Sequence, residues 1–359
     1  MNFQATRIKI VGAGLLGASL GLALSRAGIQ PALSDSSASN LRLAVDYGAG
    51  RAAQIGEQFA LVVVAVPPDF VSGVVGAELR ANPEALVTDL ASVKSEILQQ
   101  VQSENPEAVG RYLGSHPMAG RERGGPSMAR TDLFFGRPWV ITPHESSPTE
   151  ALNLIEQLAL AVGASPVRMS TVDHDSAVAL VSHLPQLLSS LLAGELTNAD
   201  SAAIALAGQG LRDVTRIAAS DPGMWLQILT RNEQPLLPLV TSLRERIQEL
   251  ESVLCNLDAP GSLSRLNELL ARGNEGVARI PGKHGGKFAD YATVVVLVDD
   301  SPGELARLLN AVGDWGINLE DLALEHSPGA AIGLAELQVL PEKADELVRR
   351  LSESGWRLA

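Results

Sequence analysis

Only one of the 359 residues is a cysteine, Cys255, so no intrachain disulfide can form and a reducing, cytoplasmic setting is the expectation. Positive charge is also short. Lys and Arg total 28 against 41 Asp and Glu, and a net charge of −13 argues against nucleic acid and membrane surfaces as partners. The most apolar runs, such as Leu184 to Gly194, are about half the length a bilayer span needs. A strand starting by Arg7 is expected to leave no room for a signal peptide. Six histidines occur with no HExxH pattern and no Cys partners, so no metal site is expected. Lysine is missing altogether from residues 171 to 271.

The most informative stretch runs from Ile8 to Asp35. A short β-prone segment leads into Gly12-Ala13-Gly14-Leu15-Leu16-Gly17, and apolar residues at helical spacing follow to Gly28. Strand, glycine turn and helix in this order form a dinucleotide-binding unit. Gly12 permits the tight turn, Gly14 lets the backbone approach a pyrophosphate, and Gly17 lets helix and strand pack closely. The first helical turn, with Leu15 and Leu16, then offers free N–H groups to the phosphates. A second strand, Pro31 to Ser34, ends in Asp35, placed to accept the ribose hydroxyls. A carboxylate there repels a 2′-phosphate, and no arginine follows until Arg42, so NAD is the expected cofactor.

Alternation of strands and helices continues. Leu61 to Val66 is a continuous apolar run stopped by Pro67-Pro68, as expected of a strand covered on both faces, and Val66 and Pro67 would border the cofactor. Further strands are expected at Leu86 to Asp89, Arg111 to Gly114, Trp139 to Thr142 and Pro166 to Arg168, with a helix from Pro148 to Val162. The pattern predicts a Rossmann-like, doubly wound, mostly parallel sheet over residues 1–168. Ligands on such sheets bind at the carboxyl ends of the strands, and Ser92 and His116 are each expected just past such an end.

Residues 169–272 lose the strand signal and should form an all-helical domain for substrate binding and dimerisation, with helices at 180–196, 202–219, 224–229 and 236–257. Leu243, Ile247, Leu250 and Leu254 form an apolar stripe suited to a helix hairpin or a homodimer seam. Residues 273–289, rich in Gly and cationic groups including Lys283, His284 and Lys287, look like a linker. The tail, 290–359, reads as βαββαβ, a ferredoxin-like order. Its Asp300-x-Pro302-Gly303-x-Leu305 turn, followed by Gly316-Ile317-Asn318, resembles the ACT domains, small amino-acid-sensing modules.

Chemistry is carried by three further segments. Gly114 to Gly120 holds His116, and imidazole titrates near neutrality, which suits a general base; a lone histidine is more often a hydrogen-bonded structural residue. Ser182-His183-Leu184-Pro185 opens the helical region, and Arg212 to Trp225 lies in its middle, where the fork of Arg212 or Arg216 could hold a carboxylate.

Taken with Asp89-Leu90-Ala91-Ser92-Val93-Lys94, these segments resemble the prephenate and arogenate dehydrogenases of tyrosine biosynthesis in the form with an appended ACT domain. The resemblance covers essentially the whole chain. It implies that His116 accepts the proton of the C4 hydroxyl of the substrate ring, that Ser92 orients that hydroxyl, and that Arg216 binds the ring carboxylate. It further implies substrate-pocket roles for His183 and Trp225 and a gating role for Glu122, with tyrosine as an effector at the ACT domain. Where the family often has histidine, this chain has Gln186. Two alternatives compete. A β-hydroxyacid dehydrogenase would need a catalytic lysine in the helical region, which is lacking; a non-catalytic sensor would bind both ligands without turnover.

Overall fold

A computed structural model describes residues 3–120, 124–281, 291–326 and 332–359. Glu122, Lys283, His284 and Lys287 lie outside the described residues. The chain divides into two compact units, one of residues 1–197 and 215–242, the other of residues 198–214 and 243–359.

In the first unit, β1 (Ile8–Val11), β2 (Ala32–Ser34), β3 (Arg51–Ala52), β4 (Leu61–Val64) and β5 (Leu86–Asp89) make an all-parallel sheet of order β3-β2-β1-β4-β5. The helices α1 (Leu15–Arg26), α2 (Ala38–Asp46), α3 (Val71–Ala81) and α4 (Ser95–Glu104) connect these strands and cover the sheet. β4 is buried at all four positions, as its unbroken valine run predicts. Strand order reverses between β1 and β4, so the turn at Gly12 and the segment after Val64 border the crevice where such sheets bind ligands.

The expected single sheet is in fact two. β6 (Gly114–Pro117), β7 (Pro138–Thr142) and β8 (Ser165–Arg168) form a separate sheet in which β6 and β7 run antiparallel, and α5 (Thr149–Ala161) packs on it. Arg111 to Gly114 is therefore not the strand expected. Val109–Arg111 is a 3-10 turn, with the Arg111 guanidinium donating to the carbonyls of Leu79, Asn82 and Ala85. Tyr112 makes one bridge to Val87 before the strand proper begins. The shift moves His116 from beyond a strand end into the strand, opposite Val140.

The helical region opens with α6 (Thr171–Val178), a π-helical turn Ala179–His183 and α7 (Leu184–Glu195). These join into one 28-residue helix, Thr171–Asn198, in which an 18-residue stretch with a mean hydropathy of 1.4 is apolar enough, by length and composition only, to cross a bilayer. This exceeds the apolar length read from the sequence because polar residues interrupt the run without ending the helix. Its amphipathicity is inverted: His174, Asp175, His183, Gln186 and Ser189 are buried, while Val172, Leu180, Val181, Leu191 and Leu192 are exposed. The helix expected at 202–219 is broken into α8 (Ser201–Ile204), α9 (Gln209–Thr215) and a 3-10 turn Arg216–Ala219, the break falling at Ala205 to Gly208. Next come α10 (Pro222–Thr230), α11 (Glu233–Cys255) and α12 (Ser262–Val277); α12 runs five residues past the linker boundary expected at 272.

The second unit ends in β9 (Ala292–Asp299), α13 (Glu304–Asp314), β10 (Asp321–His326), β11 (Ile332–Val339), α14 (Pro341–Glu353) and β12 (Arg357–Leu358). Its four strands form an antiparallel sheet of order β10-β11-β9-β12. Alternation on β9 and β11 sends Val294, Val296, Val298, Ala335, Leu337 and Val339 into a core shared with Leu308, Leu347 and Leu351.

Candidate active site

The glycine turn has the shape its sequence demands. Gly12 has φ +101°, and a Cβ there would sit 2.4 Å from the Ala65 carbonyl oxygen. A Cβ on Gly17 would fall 1.8 Å from the Gly12 carbonyl oxygen, so α1 approaches the strand as only glycine permits. Around Gly14, by contrast, a Cβ would meet nothing within 4 Å. Gly14 is the N-cap of α1 and supplies no side-chain cap, which leaves the first-turn N–H groups, beginning with Leu15 and Leu16, without a side-chain acceptor from the cap. Asp35 Oδ2 accepts the Ala13 N–H at 2.6 Å and Oδ1 accepts the Ser37 N–H at 2.7 Å. Half-buried Val66 and exposed Pro67 follow β4 beside the same turn. These residues fit a dinucleotide: uncapped N–H groups, room for a pyrophosphate and a carboxylate held in place.

A buried polar chain begins at β6. His116 Nδ1 lies 2.9 Å from His174 Nε2, and His174 Nδ1 lies 2.8 Å from Asp175 Oδ1. Asp175 also accepts the Lys94 and Ser95 N–H groups at 2.9 and 2.8 Å, which seats its carboxylate at the N-terminus of α4. Burial alone would raise the Asp175 pKa, but hydrogen bonds from His174 and Ser95 outweigh it and hold the group below the ordinary carboxylate value. His116 is pushed well below the ordinary imidazole value, first by burial and then by the charges of His174, Lys94 and His183.

A second branch leaves Asp175. Asn232 Nδ2 donates to the Asp175 carbonyl at 2.9 Å and contacts His183 Nδ1 at 3.0 Å. Because an amide nitrogen only donates, His183 Nδ1 accepts and the proton of the neutral ring sits on Nε2. Burial drops the His183 pKa to about 4, with the Asp175 charge opposing and His174 adding to the fall. The half-buried Trp225 meets His183 edge-on at a centroid distance of 6.0 Å.

Beneath His116 lies a fully buried ion pair, Lys94 with Asp89. Lys94 Nζ also donates to the Ser115 carbonyl at 2.9 Å, Tyr112 donates to Asp89 Oδ2 at 2.8 Å, and the Ala91 N–H donates to Asp89 Oδ1 at 2.8 Å. One carboxylate thereby fixes both the loop bearing Ser92 and the strand bearing His116. The hydroxyl of Ser92, half-buried, makes no hydrogen bond to the described residues. Arg216 opens its exposed 3-10 turn, which the Ala218 N–H joins to Ser189 Oγ of α7 at 3.1 Å. Gln186 is buried and donates to Ser190 Oγ at 3.3 Å. A cavity of about 580 Å³ includes Ser95, Glu96, Asp175, Arg231 and Asn232 in its lining; His116, Ser92, His183 and Trp225 do not line it.

The structure thus groups His116, His183 and Trp225 around one polar cluster, while Arg216 stands on the 3-10 turn that the Ala218 N–H ties to α7. His174, Asp175 and Asn232 were not foreseen as site residues. An available signal was the His174-Asp175 pair opening the same helix as His183, nine residues earlier.

Comparison with known proteins bears on the fold and the family. Residues 20–168 match the family described as prephenate dehydrogenase, nucleotide-binding domain, and residues 170–271 match prephenate dehydrogenase, dimerization domain. A Streptomyces niveus protein described as "Probable prephenate dehydrogenase NovF" is 34% identical over 97% of this chain and 98% of its own. The prephenate dehydrogenase of Bacillus subtilis is 26% identical over 90% of this chain and 89% of its own. In fold, the chain is similar to prephenate dehydrogenase from Aquifex aeolicus, solved with hydroxyphenyl propionate and NAD+. That match has a TM-score of 0.67 and 24% identity over 77% of this chain and 99% of the other. By these matches over nearly its whole length, the chain belongs to the prephenate dehydrogenase family.

Proposed function

We propose that this chain is an NAD-dependent prephenate dehydrogenase of tyrosine biosynthesis, converting prephenate to 4-hydroxyphenylpyruvate and CO2. The observation that carries the reading is His116. Among the described residues its Nδ1 is engaged by His174, its Nε2 has no partner, and the dinucleotide turn belongs to the same unit. Gly12, Gly14, Leu15, Leu16, Gly17, Asp35, Val66 and Pro67 would hold NAD, which when bound accepts the hydride from C4.

His116 removes the C4 hydroxyl proton, with Ser92 orienting that hydroxyl. Loss of the proton releases hydride from C4, the C1 carboxylate leaves as CO2, and the ring becomes aromatic, which makes the step effectively irreversible. The protein's work is then positioning and one base. Arg216 binds the ring carboxylate, while His183 and Trp225 bound the pocket. Arogenate is the alternative substrate, favoured by Gln186: an amide oxygen accepts from an ammonium group where a histidine donor would not. Following NADH absorbance with each substrate decides between them. Turnover of prephenate supports the primary reading, turnover of arogenate alone supports the second, and turnover of neither leaves a non-catalytic NAD and amino-acid sensor.

We also read the chain as three domains, 1–168, 169–272 and 290–359, with a homodimer formed through the helical region. Support comes from the helix Thr171–Asn198, which exposes Val172, Leu180, Val181, Leu191 and Leu192, and from the exposed Ile247, Leu250 and Leu254. The tail is read as a ferredoxin-like ACT domain taking tyrosine. Its βαββαβ order and the turn at Gly303, with φ +94°, support that reading. The single cysteine, Cys255, supports a cytoplasmic location.

A further inference from the structure

The proton positions in the His116 chain are determined by its far end. Asp175 accepts two backbone N–H groups and is ionised, so the His174 nitrogen facing it, Nδ1, must donate. A neutral His174 then has a bare Nε2, which accepts the Nδ1 proton of His116. What remains on His116 is a bare Nε2, the atom that can act as a base. Asp175 therefore selects the basic nitrogen of a residue it never touches.

A lone buried imidazole is poorly suited to its task here. Taking a proton would leave His116 positive in a site that already holds the Lys94 ammonium and lies within electrostatic reach of His183. Asp89 pairs with Lys94 and the Tyr112 hydroxyl donates to Asp89, so neither carboxylate nor phenol relieves that charge directly. One ring further back the situation reverses, because a positive charge on His174 would lie against the Asp175 carboxylate.

We propose that His174 and Asp175 are positioning residues that complete, with His116, a two-imidazole proton relay. The substrate O–H bond breaks as an N–H bond forms at His116 Nε2. The His116 Nδ1–H bond then breaks as an N–H bond forms at His174 Nε2. His174 becomes the imidazolium, its Nδ1–H still shared with Asp175, and His116 returns to neutral. The electron pair left on oxygen forms the carbonyl as C4 gives up its hydride, which NAD would accept when bound. The inference rests on His116 being the base of the proposed reaction.

His174→Gln separates the two contributions. A glutamine oxygen can accept the His116 Nδ1 proton and keep the tautomer, but it cannot take up a proton. Asp175→Asn attacks the tautomer itself, the kind of change that costs about 10⁴-fold in an Asp-His pair. In His174→Gln we expect kcat with prephenate to fall at least about tenfold, with KM for NAD and thermal midpoint little changed. The solvent-isotope proton inventory on kcat/KM should be curved in the wild type and linear in this variant. Asp175→Asn should fall further, by at least about 100-fold. Independently of turnover, ¹⁵N NMR of histidine-labelled protein should show His116 bare at Nε2 in the wild type and in His174→Gln, and a mixture of tautomers in Asp175→Asn.

Wild-type rates in His174→Gln, or a linear inventory in the wild type, would overturn the relay. A His116 proton found on Nε2 would overturn the positioning argument even if no substrate were turned over. Absence of turnover with a correct wild-type tautomer would instead count against the proposed reaction.

Discussion

Asp35 Oδ2 accepts the backbone N–H of Ala13 at 2.6 Å, so the acid ending β2 is tied to the glycine turn that follows β1. With Oδ1 held by Ser37, the carboxylate cannot swing aside to admit a phosphate. The next cation in sequence, Arg42, points its Nε at the Ala38 carbonyl at 3.4 Å. Asp35→Ser should therefore raise the kcat/KM ratio of NADP over NAD at least about tenfold, the scale of one charge contact at roughly 1.4 kcal/mol. Steady-state kinetics with both cofactors provide the check, and an unchanged ratio would remove Asp35 from cofactor selection.

His116→Asn removes the bare nitrogen but keeps a side chain of similar reach on β6. Turnover should fall by at least about 100-fold, the usual scale for a general base. NAD affinity, measured by fluorescence titration, should stay within about twofold because nothing in the glycine turn changes. Intact turnover would show that another group accepts the proton.

Arg216→Ala should act on binding. A carboxylate contact made equally in ground and transition states raises KM and leaves kcat nearly unchanged. Losing a charged hydrogen bond costs about 1.5–3 kcal/mol, which predicts a KM increase of roughly 10- to 150-fold. An effect confined to kcat would count against this placement.

These expectations differ in how directly the residues announce them. The turn from Gly12 to Gly17 was legible because each glycine answers a local backbone demand, and the clashes a Cβ would meet at Gly12 and Gly17 are those demands in space. β4 was legible because four consecutive apolar residues suit a strand buried on both faces. The edge of β6 was not: Tyr112 and Leu113 are buried and apolar like strand residues, yet Tyr112 spends its hydroxyl on Asp89 and Arg111 caps neighbouring carbonyls. His174 and Asp175 were hidden for a related reason. Acid and imidazole in the first turns of a helix read as solvated end residues, and only folding brings β6 and α4 against them.

Lys94 and Asp89 offer a test of stability rather than chemistry. Lys94→Met deletes a fully buried cation beside Asp89, whose carboxylate then keeps, among the described residues, the Tyr112 hydroxyl and the Ala91 N–H as donors. Removing one partner of a buried pair typically costs about 3–5 kcal/mol. The Ser115 carbonyl also loses its donor. A clear fall in the chemical denaturation midpoint is expected, and Lys94→Met combined with Asp89→Leu should recover part of it because no uncompensated charge remains. A double variant as unstable as the single one would assign the loss to packing instead.

Acid should weaken this protein through its buried imidazoles. His183 titrates at about 4 in the folded chain against 6.5 when unperturbed. Between those values the unfolded chain binds the extra proton and the folded chain does not, so stability rises with pH across the interval and is lost as pH falls from about 6.5 toward 4. His116 shifts in the same direction, and its contribution adds at the acid end. The thermal midpoint of wild type should therefore drop on acidification through this window, and His183→Gln should flatten part of the slope. Activity carries the same signature: the base form of His116 persists below neutrality, so the acid limb of kcat/KM should fall well below pH 6.5. An acid limb at or above 6.5 would mean that His116 alone does not set the ionisation that limits turnover.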